Sequence, residues 1–159
     1  MEKAKEKTNV MRILDQKKVP YRHYCYADTA AISGVEVAEV LGQNPAQVFK
    51  TLVTEAGKGG HYVFVIPVAE ELDLKKAAKA VGEKSIAMLK AKELLPLTGY
   101  IHGGCSPIGM KKQFTTVIDQ TAEQFETIIF SAGKIGYQVE VSPSDLAKVI
   151  RFTFADITV

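Results

Sequence analysis

Apolar positions recur along this chain with two periods, and the changes between them mark out its elements. Val10, Ile13 and Leu14 follow Thr8 and Asn9 at helical spacing and stop before Pro20, which predicts a first helix. Residues 21–26, rich in tyrosine, read as a strand. In Ser33-Gly-Val-Glu36 each polar side chain stands where it can satisfy an amide near the other. This capping box predicts a second helix that turns Val37, Val40 and Leu41 inward and ends at Gly42. Residues 47–55 and 61–68 predict two strands, and the glycine-bearing Ala-Gly-Lys-Gly-Gly between them predicts a hairpin.

Leu74, Ala77, Ala78 and Val81 form the next helical stripe, opened by Asp73 and closed by Gly82, with Lys75, Lys76 and Lys79 on the opposite face. A short strand at 85–88 and a helix at 91–95 follow. The remainder alternates short strands with turns: 100–102, 115–119, 127–131, 137–141 and 151–157, interrupted by a helix at 144–150. Helices interspersed early and hairpin-length connections late predict an α+β domain. Its sheet is expected to be mixed and largely antiparallel rather than doubly wound and parallel. No repeat, low-complexity tract or linker divides the chain, so residues 1–159 read as one domain.

Composition narrows the class without naming a chemistry. A chain of 159 residues with 47% apolar and 24% charged residues has the profile of a globular domain that needs no disulfide or metal to fold. No apolar run approaches the roughly 20 residues of a membrane span. The mixed-charge opening Met1-Glu-Lys-Ala-Lys-Glu-Lys7 has no signal-peptide core. Cys25 and Cys105 suit a reducing compartment, so the cytoplasm is the expected location. Twenty basic against eighteen acidic residues give +2, a balance that does not by itself announce a nucleic-acid partner.

The most informative residue is Lys50 in Gln-Val-Phe-Lys-Thr-Leu-Val. In a strand, Val48, Lys50 and Leu52 share one face and Phe49, Thr51 and Val53 the other. Both faces are apolar apart from the lysine and the threonine. The ammonium must therefore end in a cleft, in an ion pair, or snorkelled to water. Two glycine-bearing loops stand beside this feature, Gly103-Gly-Cys-Ser-Pro-Ile-Gly109 and Ser131-Ala-Gly-Lys-Ile-Gly136. Each is either a tight turn or a place where backbone N–H groups approach a ligand.

Several chemistries are excluded. Gly133-Lys134-Ile135 lacks the Ser or Thr of a phosphate-binding loop, and Ile128 occupies the place of its first glycine. No G-x-G-x-x-G opens a helix. The run 104–109 is one residue too long for a serine nucleophile elbow, and Pro107 has no N–H to give an oxyanion. His23 with Cys25, and His102 with Cys105, form no recognised metal module, so no metal is expected. Cys105 has no evident histidine partner that would make it a nucleophile. Lys75, Lys76, Lys79, Lys84, Lys90, Lys92, Lys111, Lys112 and Lys134 gather near one helix and the loops. They read either as solvated faces or as the track of a phosphate backbone.

Taken in order, Val48-Phe-Lys-Thr-Leu52, Leu72-Asp-Leu-Lys-Lys-Ala-Ala-Lys-Ala-Val-Gly82, Thr98-Gly-Tyr-Ile-His-Gly-Gly-Cys-Ser-Pro-Ile-Gly109 and Ser131-Ala-Gly-Lys-Ile-Gly136 resemble the YbaK/EbsC family. These are freestanding aminoacyl-tRNA deacylases related to the editing domain inserted in bacterial prolyl-tRNA synthetase. The resemblance implies an α+β fold on a strongly curved, barrel-like sheet flanked by helices. It also implies removal of cysteine wrongly attached to proline tRNA, without a cofactor. It puts the essential lysine at Lys50, cleft glycines at Gly103 and Gly104, a small serine–glycine loop at Ser131 and Gly133, and a cleft aromatic at Tyr26. The family's proposed chemistry uses the substrate's own thiol as nucleophile, which fits the missing triad and metal. The implied partners are the acceptor end of tRNA-Pro and prolyl-tRNA synthetase. A deacylase for another amino acid such as alanine, and a non-catalytic tRNA- or synthetase-binding module, are the alternatives. The chain departs from the family pattern at Ile135 and Gln138, where an arginine and an acid are frequent, and keeps Glu140. Cys105 stands where relatives also carry an aliphatic residue, so it is not expected to be catalytic.

Overall fold

The computed structural model describes residues 7–159. Thr8 accepts a hydrogen bond from the Met11 amide and opens helix α1 (Asn9–Gln16), which buries Val10, Met11 and Leu14. The expected capping box forms at Ser33 and Glu36 and starts α2 (Gly34–Leu41); Gly42 ends it in the left-handed conformation. Asp73 and Gly82 bound α3 (Leu74–Val81), which buries Ala77 and Ala78. Helix α4 (Ala91–Thr98) runs past the expected end at 95 with Pro96 inside it. The last helix, α5 (Pro143–Leu146), is a single turn. Beyond it the backbone tightens to i→i+3 bonds, from Lys148 to Asp145 and from Val149 to Leu146, where a longer helix had been expected.

The strands fall into two open sheets. The first is antiparallel and ordered β1 (Arg22–Cys25), β7 (Tyr137–Val141), β6 (Ile128–Ser131). The second has the order β4 (Ile86–Met88), β2 (Phe49–Ala56), β3 (His61–Pro67), β5 (Thr115–Asp119), β8 (Thr153–Ala155). In it β2 pairs antiparallel with β3 and β4, while β5 lies parallel to β3 and β8. The mixed, largely antiparallel α+β expectation is thereby met. The strands do not close on themselves: among the described residues a parallel bridge from Val48 to Ile129 joins the two sheets.

Both faces of β2 are covered, as its sequence required. Phe49 and Val53 enter the largest core cluster with Val10, Leu14, Ile108 and Phe130. On the other face Val48 packs with Ala38, Val68 and Ile129. Leu52 packs against Phe64, Ile66 and Ile157. Two expectations fail here. Val40 is 55% exposed, because α2 turns only Val37 and Ala38 fully inward. The segment 100–102 is not a strand. It follows the left-handed Gly99 cap, Thr98 Oγ1 accepts from the Tyr100 amide, and the Tyr100 hydroxyl donates to Ile108 O at 2.5 Å. Tyr100 is buried while Ile101 and His102 are both exposed, and the three residues pair with no strand.

Helix α2 lies hard against the end of β3. A Cβ built on Gly34 would stand 2.4 Å from Val68 Cγ1, and Val68 is too short to swing away. In a solvent-exposed helix Gly→Ala stabilises by about 1 kcal/mol. Here overpacking reverses that sign. Gly34→Ala is expected to lower stability by about 1–3 kcal/mol, and adding Val68→Ala should recover part of it relative to Val68→Ala alone. Thermal melts of the three variants check this; a Gly34→Ala protein as stable as the parent contradicts the close contact.

Candidate active site

Lys50 occupies the gap between the two apolar clusters on its face of β2, opposite Ile66 in the ladder to β3. It is half-buried, and no hydrogen bond or ion pair joins its ammonium to another described residue. It lines a cavity of about 580 Å³, a size in the usual range of about 300–1,000 Å³ for small-molecule sites. The cavity lies where α2, the first half of β2, the segment from Met88 at the end of β4 into α4, and the two glycine loops converge. Its polar lining includes Tyr26, Lys50, Thr51, His102, Ser131 and Gln138, and Val37, Val48, Leu89 and Leu94 are among the apolar groups.

Of the residues expected at the site, Tyr26, Lys50, Gly103 and Ser131 line this cavity together. Tyr26 follows the last residue of β1, and its amide donates to Gly136 O at 2.7 Å. Gly103 has φ +89 and its amide reaches no described partner. Gly104 and Gly133 stand behind the lining and serve other ends. The Gly104 amide donates to Ile101 O at 3.0 Å, and a Cβ there would meet Ile135 N at 3.2 Å, so this glycine lets the two loops touch. The Gly133 amide donates to Ser131 Oγ at 3.1 Å. Ser131 Oγ thus accepts from its own loop, and its O–H remains free to donate.

Sequence reasoning passed over His102, Thr51 and Gln138 as site residues. His102 had been weighed only as a metal ligand, and no three His, Cys, Asp or Glu side chains converge among the described residues. Thr51 Oγ1 is buried without a partner. Gln138 lies directly opposite Ser131 in the β6–β7 ladder. That adjacency was available from the spacing of two strands flanking one glycine loop.

Electrostatically the lining offers donors and one cation. Cys105 is 9% exposed, and burial pushes its thiol up to about 12. Burial does the same to the Tyr100 phenol, with Cys105 adding to it. A thiol with so high a pKa is neutral at physiological pH and is not an activated nucleophile. No helix among the described residues is long and apolar enough to cross a membrane.

The sequence and the fold match those of known proteins. The family model for the aminoacyl-tRNA editing domain matches residues 28–149. The chain is 50% identical over 157 residues to an Enterococcus faecalis protein whose name designates it a Cys-tRNA(Pro)/Cys-tRNA(Cys) deacylase, EbsC; the match covers 98% of this chain and 96% of that one. The chain belongs to the aminoacyl-tRNA editing domain family. A segment covering 17% of a proline–tRNA ligase from Trichlorobacter lovleyi is 29% identical over 99 residues, 62% of this chain. Among solved structures, one described as a trans-editing enzyme for prolyl tRNA synthetase superposes with a TM-score of 0.81 at 24% identity, covering 94% of both chains. Hypothetical protein APE2540 superposes with a TM-score of 0.82 at 22% identity, covering 94% of this chain and 99% of that one. At these identities the structures speak for the fold alone.

The raised Cys105 pKa has a direct consequence. Folding holds the proton on the sulfur, so at pH 8 the native thiol should resist iodoacetamide while the less buried Cys25 reacts first. Mass spectrometry of the alkylated protein reads the order; rapid native modification of Cys105 contradicts the buried, neutral thiol.

Proposed function

We propose that this chain is a trans-editing aminoacyl-tRNA deacylase that removes cysteine from mischarged tRNA-Pro in the cytoplasm, with residues 1–159 acting as one editing domain. The observation that carries this reading is the half-buried, unpaired Lys50 in a cleft with Ser131 and Gly103, in a chain of the editing-domain family. The family's assignments of Tyr26, Gly103, Gly104, Ser131 and Gly133 to substrate binding carry over in part. The first two and Ser131 are suited to contact the aminoacyl group. Gly104 and Gly133 are suited to hold the loops that contact it.

The lining supplies a cation and N–H and O–H donors but no activated nucleophile, which suits a reaction in which the substrate attacks itself. A cysteinyl ester has its thiol one carbon from the α-carbon. As the sulfur, losing its proton, attacks the carbonyl carbon, the oxygen becomes an oxyanion that the Lys50 ammonium and the Gly103 N–H can stabilise. Collapse breaks the C–O bond to the terminal ribose oxygen, which takes the proton. The products are tRNA with a free hydroxyl and a four-membered cysteine thiolactone, which water later opens. No water enters the first step. The enzyme's contribution is to fold the side chain onto its own carbonyl and to neutralise developing charge. A serine or alanine ester lacks the thiol and is spared.

Exposed Lys90 and Lys92 flank Ala91 at the cleft rim, and Lys111 and Lys112 are exposed beyond the 103–109 loop. These positions suit a sequence-independent, salt-sensitive contact with the acceptor strand. With a net charge of only +2, selection of tRNA-Pro is assigned to prolyl-tRNA synthetase acting as partner.

Deacylation of tRNA-Pro carrying cysteine, serine or alanine tests the reading. The cysteinyl ester is expected to react at least 100-fold faster than the seryl ester. Equal rates on both esters contradict thiol assistance; an alanyl preference makes the chain an alanine editor; salt-sensitive binding with no cleavage makes it a binding module.

A further inference from the structure

Gln138 is 5% exposed and lines the cleft, yet its side chain is not spent on the fold in the usual way. Its Oε1 accepts from Gln43 Nε2 at 2.8 Å, which leaves its own Nε2–H₂ without a described partner. Gln43 Oε1 is buried and receives no hydrogen bond, so the amide pair is poorly balanced as a purely structural contact. Across the ladder Gln138 stands opposite Ser131, whose hydroxyl is free to donate because its oxygen already accepts from Gly133. Directly opposed residues of an antiparallel pair bring their Cβ atoms to about 4.5–5.5 Å. Lys50, Ser131 and Gln138 therefore offer three donors to one space.

The titratable groups lining that space are Tyr26, Lys50, His102, Cys105 and Tyr137; among the described residues that line it none is a carboxylate. Glu140, the carboxylate two residues along β7, accepts hydrogen bonds from Tyr24 and Thr127. A substrate α-ammonium entering the cleft would meet the Lys50 charge without a counter-ion, and a like charge at short range favours the neutral amine. The free α-amino group titrates at about 7.7–8.0, so only a modest lowering deprotonates it at neutral pH.

We propose that Gln138, held by Gln43, is a specificity-determining residue: it gives its amide N–H to the carbonyl oxygen of the aminoacyl group, in a cleft that takes that group with its α-amine uncharged. The inference rests on the deacylase reading for the identity of the ligand, and its test is one of binding rather than turnover.

The probes are two uncleavable amides of cysteine with 3′-amino-3′-deoxyadenosine, one with a free α-amine and one N-acetylated. They are titrated by calorimetry at pH 6.5 into the parent protein, Gln138→Glu and Gln138→Met. The parent is expected to bind the N-acetyl probe at least as tightly as the free amine. Gln138→Glu supplies a counter-ion and should shift the preference about tenfold toward the free amine. Gln138→Met should weaken both probes about five- to tenfold and leave their ratio unchanged. A parent preference of tenfold or more for the free amine overturns the proposal, as does an unchanged ratio in a folded Gln138→Glu protein. Failure of the parent to bind either probe also overturns it. Should Gln138→Glu not fold, Gln138→Met decides: unchanged affinity for both probes overturns the assignment. Probe binding as expected with no cleavage of cysteinyl-tRNA would remove the deacylase reading and leave this one standing.

Discussion

Both faces of strand β2 are packed against apolar clusters, and the candidate site follows from that constraint. The strand and Val48 just before it feed three apolar clusters: Phe49 and Val53 one, Val48 a second, Leu52 a third. A charged side chain in such a strand must be taken to water or to a ligand, since burying an unpaired ammonium costs far more than the fold can offset. Lys50 meets the condition because the clusters containing Val48 and Leu52 leave a gap between them. The cleft is what that gap opens into, and the tight seat of Gly34 on Val68 holds α2 as one of its walls.

What lines the gap explains the chemistry it can support. Burial keeps the Cys105 thiol protonated, and Ser131 has no base beside it to take its proton among its described hydrogen bonds. The remaining offers are electrostatic: a cation, a loop amide at Gly103, a hydroxyl and the Gln138 amide. Such a site stabilises negative charge that forms on a bound group and leaves bond-making to that group. Specificity then depends on what the ligand carries, its thiol and its α-amine, more than on the shape of a deep pocket.

Much of this was readable along the chain, and the parts that were not have a common cause. The capping box at Ser33, the β2–β3 hairpin, the α3 stripe and the anomaly of Lys50 are local patterns whose physics acts within a few residues. The contact of Gly104 with the backbone at Ile135, the pairing of Gln43 with Gln138, and the Tyr100 bond that makes a loop of 100–102 join segments distant in the chain or hidden in a turn. Both glycine loops looked alike in sequence, yet in each one member of the expected pair, Gly104 or Gly133, supports the loop from behind. Only packing distinguishes a glycine that faces a ligand from one that admits a neighbouring backbone.

The central claim is that the Lys50 cation, placed by β2, accelerates ester cleavage by stabilising charge in the transition state. Single-turnover cleavage of cysteinyl-tRNA-Pro by Lys50→Ala and Lys50→Met, beside the parent protein and with tRNA binding measured in parallel, tests it most directly. The account predicts a rate loss of about 100-fold or more, in line with the 10²–10³ typical of a lost oxyanion donor, with tRNA affinity changed less than threefold. Variants that cleave within threefold of the parent rate would contradict it.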